Sequence, residues 1–278
     1  MTATDPRLTL ARRGLAAQAL EGVIGAERYA PTAVLRLTAN SQGLLRAADP
    51  ASERMDELLY GELFEALDSK DDFIFGQARR DGYVGWVHRE GLAPDGGAPT
   101  HQVKAIRTFA FVEPSIKSRA TGPYSLNALV RIEIEQDSFG RSDRGFWFWL
   151  PHLAPIGSFE HDHAAVAERF LGAPYLWGGR TSVGLDCSGL VQQALYACGL
   201  ACPRDTDQQA ALGRAVSRAD LARGDLVCWK GHIGLMLDAE RLVHANAHHM
   251  AVTIEPVDEA TRRIRPGSGE ASFRRLWP

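Results

Sequence analysis

Hydrophobic and polar positions along this chain change period three times. Over residues 7–24 the apolar positions Leu15, Ala19, Leu20, Val23 and Ile24 fall on one helical face, and Gly25 follows. That spacing predicts a short amphipathic helix, a structural arm. Between residues 31 and 95 the period drops to two. Short runs at 33–37, 63–67, 72–78 and 82–87 are separated by turn residues. Many short strands at this spacing predict a small all-β barrel. Pro94, Gly96, Gly97 and Pro99 mark a linker. The two-residue period returns in runs at 108–112, 128–134 and 145–150, which predict a second, degenerate barrel. The aromatic run Phe146, Trp147, Phe148, Trp149 reads as a strand buried on both faces, or else as a ligand platform.

From residue 158 the pattern becomes helical and then alternating again. A helix is expected over about 162–172. A second opens at Cys187, with Leu190, Val191, Ala194, Leu195 and Cys198 on one face and Gly199 as its stop. Strands follow at 225–229, 233–237, 241–245 and about 251–255. Helices first and antiparallel strands after predict an α+β domain. The expected layout is therefore a helical arm at 1–30, small β domains at 31–95 and 100–157, and an α+β domain at 158–278.

Composition narrows the function. The 278 residues suggest about two domains or more, and 45% hydrophobic and 23% charged residues are ordinary for a globular chain. A net charge of −3 argues against nucleic-acid or anionic-membrane partners. No apolar run approaches the ~20 residues needed to span a bilayer. The N-terminal residues show no basic segment leading into an apolar core, so a cytoplasmic location is expected. Of the cysteines 187, 198, 202 and 228, the pair Cys198 and Cys202 is near enough to bridge, but reduced thiols are the better expectation in that setting.

The chemistry centres on Cys187. At a helix start, free backbone N–H groups and the helix dipole favour an anion, which predicts a lowered thiol pKa and a reactive thiolate. A cysteine nucleophile needs a base, and the base an orienting group. His232 begins one strand and His244 lies twelve residues later on the next. A hairpin between them would set the imidazoles side by side, with His232 taking the thiol proton and His244 holding its tautomer. The Cys187 backbone N–H is a natural oxyanion donor, and the Tyr175 hydroxyl a second. Taken singly, each residue has a plainer reading: a structural cysteine, a solvated histidine. Cys187, His232 and His244 also form a legitimate zinc ligand set, and His161, His163, His248 and His249 lie near them in sequence. Asp162 between the first two is more simply a helix N-cap.

The joint pattern resembles the NlpC/P60 family of papain-like cysteine peptidases. The resemblance is carried by Tyr175, Trp177, Gly178 and Gly179; by Asp186, Cys187, Ser188, Gly189 and Leu190; by residues 203–209; by Gly224, Asp225, Leu226 and Val227; and by His232, Ile233, Gly234, Val243, His244 and Ala245. It covers about 160–255 and implies a triad of Cys187, His232 and His244, with Tyr175 beside the nucleophile and no cofactor or metal. The segments 59–62 and 82–87 resemble bacterial SH3-like domains. The whole layout resembles the γ-D-glutamyl-L-diamino acid endopeptidases of muropeptide processing. That resemblance implies a murein peptide substrate, L-Ala-γ-D-Glu-diamino acid; the oligomeric state is left open, with a monomer favoured. The resemblance also implies that Glu62 and Tyr83 of the first SH3-like domain receive the L-Ala amine, and that Asp186, Ser188, Thr206 and Trp177 line the dipeptide site. A zinc hydrolase and a non-catalytic wall-binding module are the other readings.

Overall fold

A computed structural model describes residues 4–276. The chain divides after Ile156 into two compact units.

The N-terminal unit is built of strands. The helix expected over 7–24 is not formed. Two short strands, Ala11–Arg12 and Leu15–Ala17, a single 3-10 turn, Gln18–Leu20, and the strand Arg28–Ala30 take its place. Gly14 and Gly22, at φ +75° and +79°, turn the chain where a helix would run on. Leu10 and Ala17 pack with Phe73, Phe75 and Trp86, whereas Val23, counted on the helical face, is exposed. Tertiary packing overrides a short periodic stretch here.

Seven strands then form one antiparallel sheet, in the order Leu92–Pro94, Ala33–Leu37, Leu63–Lys70, Phe73–Ala78, Val84–His88, Ser41–Leu45, Arg54–Leu59. Three strands were unforeseen in the sequence: Leu92–Pro94 runs into the stretch expected as a linker, and Ser41–Leu45 and Arg54–Leu59 carry Gly43 and the charged Arg54, Asp56 and Glu57, which blur the alternation. Asp56 and Glu57 are nevertheless buried, and Glu57 accepts from the Ser41 hydroxyl at 2.7 Å. The sheet closes over Leu37, Leu44, Leu58, Phe64, Tyr83 and Val87.

Residues 101–155 add a five-stranded and a three-stranded sheet. The run expected as one strand over 128–134 is broken at Arg131 into Leu129–Val130 and Ile132–Gln136, which join different sheets. Of the aromatic run, Phe148 is fully buried with Tyr124 and Val130, while Trp147 and Trp149 on either side are half-buried. Leu59 and Tyr60 from the first sheet share that core.

The C-terminal unit packs helices against a six-stranded antiparallel sheet. The strand order is Arg214–Val216, Ser272–Arg275, Leu226–Trp229, His232–Met236, Arg241–Asn246, Ala251–Pro256. The first helix, His163–Glu168, is shorter than expected and runs into turns that end at Gly172, φ +78°. Helix Cys187–Ala197 is buried along its whole length and packs on the strands His232–Met236 and Arg241–Asn246. Leu190, Val191, Ala194 and Leu195 are at most 1% exposed. Each such Leu or Val contributes ~1.5–3 kcal/mol by leaving water. A helix missing from the sequence reading, Val257–Ser268, buries Val257 and Ala260 and rests Ile264 on the same core. No helix among the described residues is long and apolar enough to cross a membrane.

Gly61 shows how tightly the halves of the N-terminal unit meet. Its φ is +82°, and an added Cβ would sit 2.0 Å from the Leu129 carbonyl oxygen. Gly61→Ala is therefore expected to destabilise that unit by at least ~2 kcal/mol, from steric overlap and a strained φ together. Denaturant titration checks this; an unchanged midpoint would contradict the packing described.

Candidate active site

Asp186 is the hub of the C-terminal unit. Its backbone is extended, and its Oδ1 accepts the Gly189 N–H at 2.8 Å, capping the Cys187 helix. Oδ2 accepts the Gly178 N–H at 2.8 Å, which ties the preceding glycine loop to the same carboxylate. Arg204 grips both oxygens at 3.0 and 2.6 Å, and donates to the Ser188 hydroxyl at 2.6 Å. Ser188 in turn donates to Asp186 at 3.1 Å. Gln209 donates to the Ser188 and Pro203 carbonyls, tying the short helix Thr206–Gln209 to the cluster. Glycine is required at the closest approach: an added Cβ on Gly189 would lie 2.3 Å from the Gly179 carbonyl oxygen.

That clamp fixes Cys187 on the first turn, 5% exposed. Its sulfur lies at the His232–Ile233 peptide, where the Ile233 N–H hydrogen-bonds to it. His232 Nε2 is 2.8 Å from His244 Nδ1, and His244 Nε2 is 2.6 Å from Glu255 Oε1. Arg263 holds Glu255 through both oxygens, at 2.7 Å for one of them. The hairpin expected from the sequence sets the imidazoles together. Leu235 pairs with Val243, which puts His244 opposite Gly234 and His232 diagonally across on the same face. Gly234 makes the approach possible, since a Cβ there would lie 3.1 Å from His244 Cβ and 2.8 Å from Leu242 Cδ1. The Trp229 ring stacks on His232 at 5.6 Å and 29°.

The electrostatics differ from the low-pKa thiolate expected from the helix start. Burial pushes the Cys187 thiol up to about 12, and the Asp186 charge adds to this. The Ile233 and Ser188 amides oppose the rise without overcoming it. Desolvation of a buried sulfur outweighs the helix terminus. Burial likewise lowers His232 to about 3, helped by His244 and Arg263 and opposed by Glu255 and Asp186. His244 is also lowered, first by burial, against the pull of Glu255. Burial opposes ionisation of Glu255, yet the hydrogen bonds from His244 and Arg263 hold its carboxyl well below the usual range. The resting site is thus a neutral thiol beside two neutral imidazoles, with one ionised carboxylate behind them.

Of the other expected site residues, Tyr175 is half-buried, and its phenol is raised by burial and then by the charges of Cys187 and Asp186, which places it beside the nucleophile. Trp177 is 58% exposed. Thr206 is half-buried at the start of its short helix. Asp186 and Ser188 are buried and bond through their side chains to the Arg204 cluster, which braces the Cys187 helix. Glu62 and Tyr83 belong to the N-terminal unit, each 2% exposed. Tyr83 is packed in its sheet core, and Glu62 accepts from Arg80 at 2.9 Å and from the Leu59 N–H at 3.0 Å. Glu62 thus pairs with a cation inside its own unit, and Tyr83 lies in that unit's core. His161 and His163 stand apart from this chemistry: Asp162 caps the first helix, and His163 meets the Gly224 carbonyl. Both ring nitrogens of His244 are engaged, which leaves it no nitrogen for a zinc ion. All four cysteines are free thiols.

Glu255, Arg263, Arg204 and Trp229 were not singled out from the sequence. A signal for Glu255 exists. His244 pairs with Thr253, and the two-residue period of the strand puts Glu255 on the same face. Arg204 sits within the motif at 203–209, but only the fold brings it to Asp186.

Two outcomes follow from this electrostatic arrangement. Arg204→Met strands the Asp186 carboxylate in the interior and should destabilise the C-terminal unit by ~3–5 kcal/mol in denaturant titration. An acid dependence should also appear. His232 is lowered from 6.5 to about 3, so the unfolded chain binds a proton that the folded one refuses. This stabilisation is complete above pH 6.5 and is lost progressively as pH falls toward about 3. Between 6.5 and 4.5, above the ordinary value of Glu255, the melting temperature should fall less steeply in His232→Gln than in the wild type. Parallel slopes would contradict a buried neutral His232.

Comparison with known proteins bears on this site. Residues 172–264 match the NlpC/P60 family, and residues 44–92 match the bacterial dipeptidyl-peptidase SH3 domain. A γ-D-glutamyl-L-lysine dipeptidyl-peptidase of Bacillus cereus is 23% identical over 240 residues, 75% of this chain and 72% of that protein. A Bacillus subtilis protein of the same name is 39% identical over 84 residues, 27% of this chain and 28% of that one. A probable endopeptidase of Mycobacterium tuberculosis is 34% identical over 117 residues, 40% of this chain, and the match spans only 30% of its length. Among solved structures, an NlpC/P60 family protein from Bacillus cereus has a TM-score of 0.77 at 19% identity, covering 88% of this chain and 100% of that one. At that identity the likeness is one of fold. Residues 172–264, which hold Cys187, His232 and His244, belong to the NlpC/P60 family and follow a bacterial dipeptidyl-peptidase SH3 domain in the same chain.

Proposed function

We propose that this chain is a cysteine peptidase that hydrolyses the γ-D-glutamyl–diamino acid bond of peptidoglycan-derived peptides carrying a free N-terminal L-Ala. In this reading residues 100–157 are a second SH3-like domain, the C-terminal unit is papain-like, and the protein works in the cytoplasm on recycled wall peptides. The observation that carries the proposal is the Cys187 sulfur held at the His232–Ile233 peptide, beside a hydrogen-bonded pair of imidazoles, His244 buried and His232 half-buried. The names of the two Bacillus relatives support the choice of bond.

The chemistry follows from the neutral resting site. His232 takes the thiol proton as the sulfur attacks the γ-carbonyl carbon of D-Glu. The oxyanion forms where the Cys187 backbone N–H and the Tyr175 hydroxyl can donate to it. The C–N bond then breaks, and the His232 imidazolium returns its proton to the departing amine of the diamino acid. Water, deprotonated by the same histidine, attacks the thioester and breaks its C–S bond; L-Ala-D-Glu is released, and the imidazolium returns its proton to the Cys187 thiolate. Stacking on Trp229 favours His232 in its transient cationic form. A buried neutral pair suits this concerted transfer, since charge appears only with the substrate in place.

The test is incubation with L-Ala-γ-D-Glu-meso-diaminopimelate. Cys187→Ala should remove turnover while keeping the wild-type melting temperature; equal activity would refute the mechanism. Acetylating the L-Ala amine, which removes its charge and adds bulk, should reduce kcat/KM by at least about tenfold. Comparable cleavage of both peptides would leave only a general peptidase. Because Glu62 is paired with Arg80 inside its own unit, Glu62→Gln should lower that unit's stability and leave the discrimination intact.

A further inference from the structure

Behind the two imidazoles lies an ion pair that the mechanism above does not use. Glu255 ends the strand next to His244, and Arg263 projects from the following helix, Val257–Ser268. The charged and titratable groups facing His244 are Glu255, Arg263, His232 and His249. We propose that Glu255, anchored by Arg263, is a positioning residue that fixes the tautomers of both imidazoles and leaves the lone pair of His232 Nδ1 facing the Cys187 thiol. This rests on Cys187 and His232 being nucleophile and base.

The argument is one of donors and acceptors. An ionised carboxylate only accepts hydrogen bonds, and a guanidinium only donates. Arg263 donates to both Glu255 oxygens, so the carboxylate stays ionised and does not turn. At 2.6 Å from Glu255 Oε1, His244 Nε2 must carry hydrogen. A neutral imidazole has one N–H, so His244 Nδ1 bears a lone pair and accepts. At 2.8 Å from it, His232 Nε2 must donate. The lone pair of His232 is then at Nδ1, the ring nitrogen nearest its own backbone. With Nε2 taken by His244, Nδ1 is the nitrogen left to take the Cys187 proton.

Without a fixed acceptor the chain of hydrogen bonds runs equally well in reverse. His244 would donate from Nδ1, His232 would accept at Nε2, and a hydrogen on His232 Nδ1 would point at the thiol. That protein has its nucleophile and its base but nowhere for the proton to go. Arg263 offsets most of the Glu255 charge, since the two act in opposite directions on His232. Glu255 therefore acts on where protons sit more than on the local field.

Glu255→Gln replaces an obligatory acceptor by a group that can also donate, and it permits the reversed chain. Loss of the equivalent orienting group in a serine-protease triad costs up to ~10⁴ in kcat. One imidazole further from the nucleophile, a drop of about 10- to 100-fold in kcat is expected, with KM within about twofold, because no ground-state contact is touched. The decisive readout is nitrogen-15 NMR of the imidazoles in the resting protein, at a pH near 7.5 where both are neutral. In wild type both His232 and His244 should be protonated at Nε2 and bare at Nδ1. In Glu255→Gln a population protonated at Nδ1 should appear, and iodoacetamide should modify Cys187 more slowly, as followed by peptide mass spectrometry. Arg263→Lys, which keeps a cation on the carboxylate, should keep the wild-type tautomers. A wild-type His232 protonated at Nδ1, or wild-type tautomers and kcat in Glu255→Gln, overturns the proposal. Should that variant fail to fold, the wild-type spectrum alone decides. These readouts need no substrate, so a wrong choice of scissile bond would show as absent turnover with the tautomers as described.

Discussion

The geometry of the C-terminal unit depends on one buried carboxylate. Asp186 caps the Cys187 helix, receives the Gly178 amide and binds Arg204 through both oxygens. Three stretches distant in sequence, the glycine loop at 178–179, the helix start and the segment 203–209, are held to one point. A lone carboxylate in that interior would be costly, and Arg204, 1% exposed, is what makes it tolerable. The arrangement is rigid because every partner is itself fixed. Gly189 leaves no room for a side chain against the Gly179 carbonyl, and Ser188 is bonded to both members of the ion pair. The sulfur of Cys187 inherits that rigidity.

A second constraint is dryness. Packing the Cys187 helix against the strands His232–Met236 and Arg241–Asn246 removes the thiol and His244 from water and leaves His232 half-buried. Desolvation then dominates their acid–base behaviour, raising one and lowering the others. A helix N-terminus is worth too little to hold a free thiolate there. The site instead keeps its charge at the back, in Glu255 and Arg263, and leaves the reacting pair neutral until a substrate arrives. The same burial that suits concerted proton transfer costs stability in acid. Activity and acid tolerance are coupled through the same imidazoles.

Much of this was legible in the sequence, and the exceptions have physical causes. The strands of the N-terminal unit followed their two-residue period wherever alternation was clean, as in Phe73–Ala78, and escaped notice where buried acids interrupted it, as in Arg54–Leu59. The arm at 7–24 had helical spacing, but Gly14 and Gly22 and the pull of Phe73, Phe75 and Trp86 made it strand and turn. His232 and His244 were placed together by spacing on a hairpin, which is local information, and Cys187 was joined to them by the joint motif pattern. Their protonation was not legible, because burial belongs to the whole fold. Glu62 and Tyr83 were assigned by resemblance, and only the coordinates show the Arg80 partner and the packed core that occupy them. Arg204 and Glu255 act on residues far along the chain or on a neighbouring strand, and a linear reading weighs such pairs poorly.

The central claim is that Cys187 forms a covalent bond with the substrate. The most direct measurement is rapid acid quench of the protein with L-Ala-γ-D-Glu-meso-diaminopimelate during turnover, followed by digestion and mass spectrometry of the peptide containing Cys187. The account predicts a thioester on Cys187 whose added mass is that of L-Ala-D-Glu less one water, appearing before the second product accumulates. Turnover with that peptide unmodified at every quench time, and undiminished after Cys187 is alkylated, would contradict it.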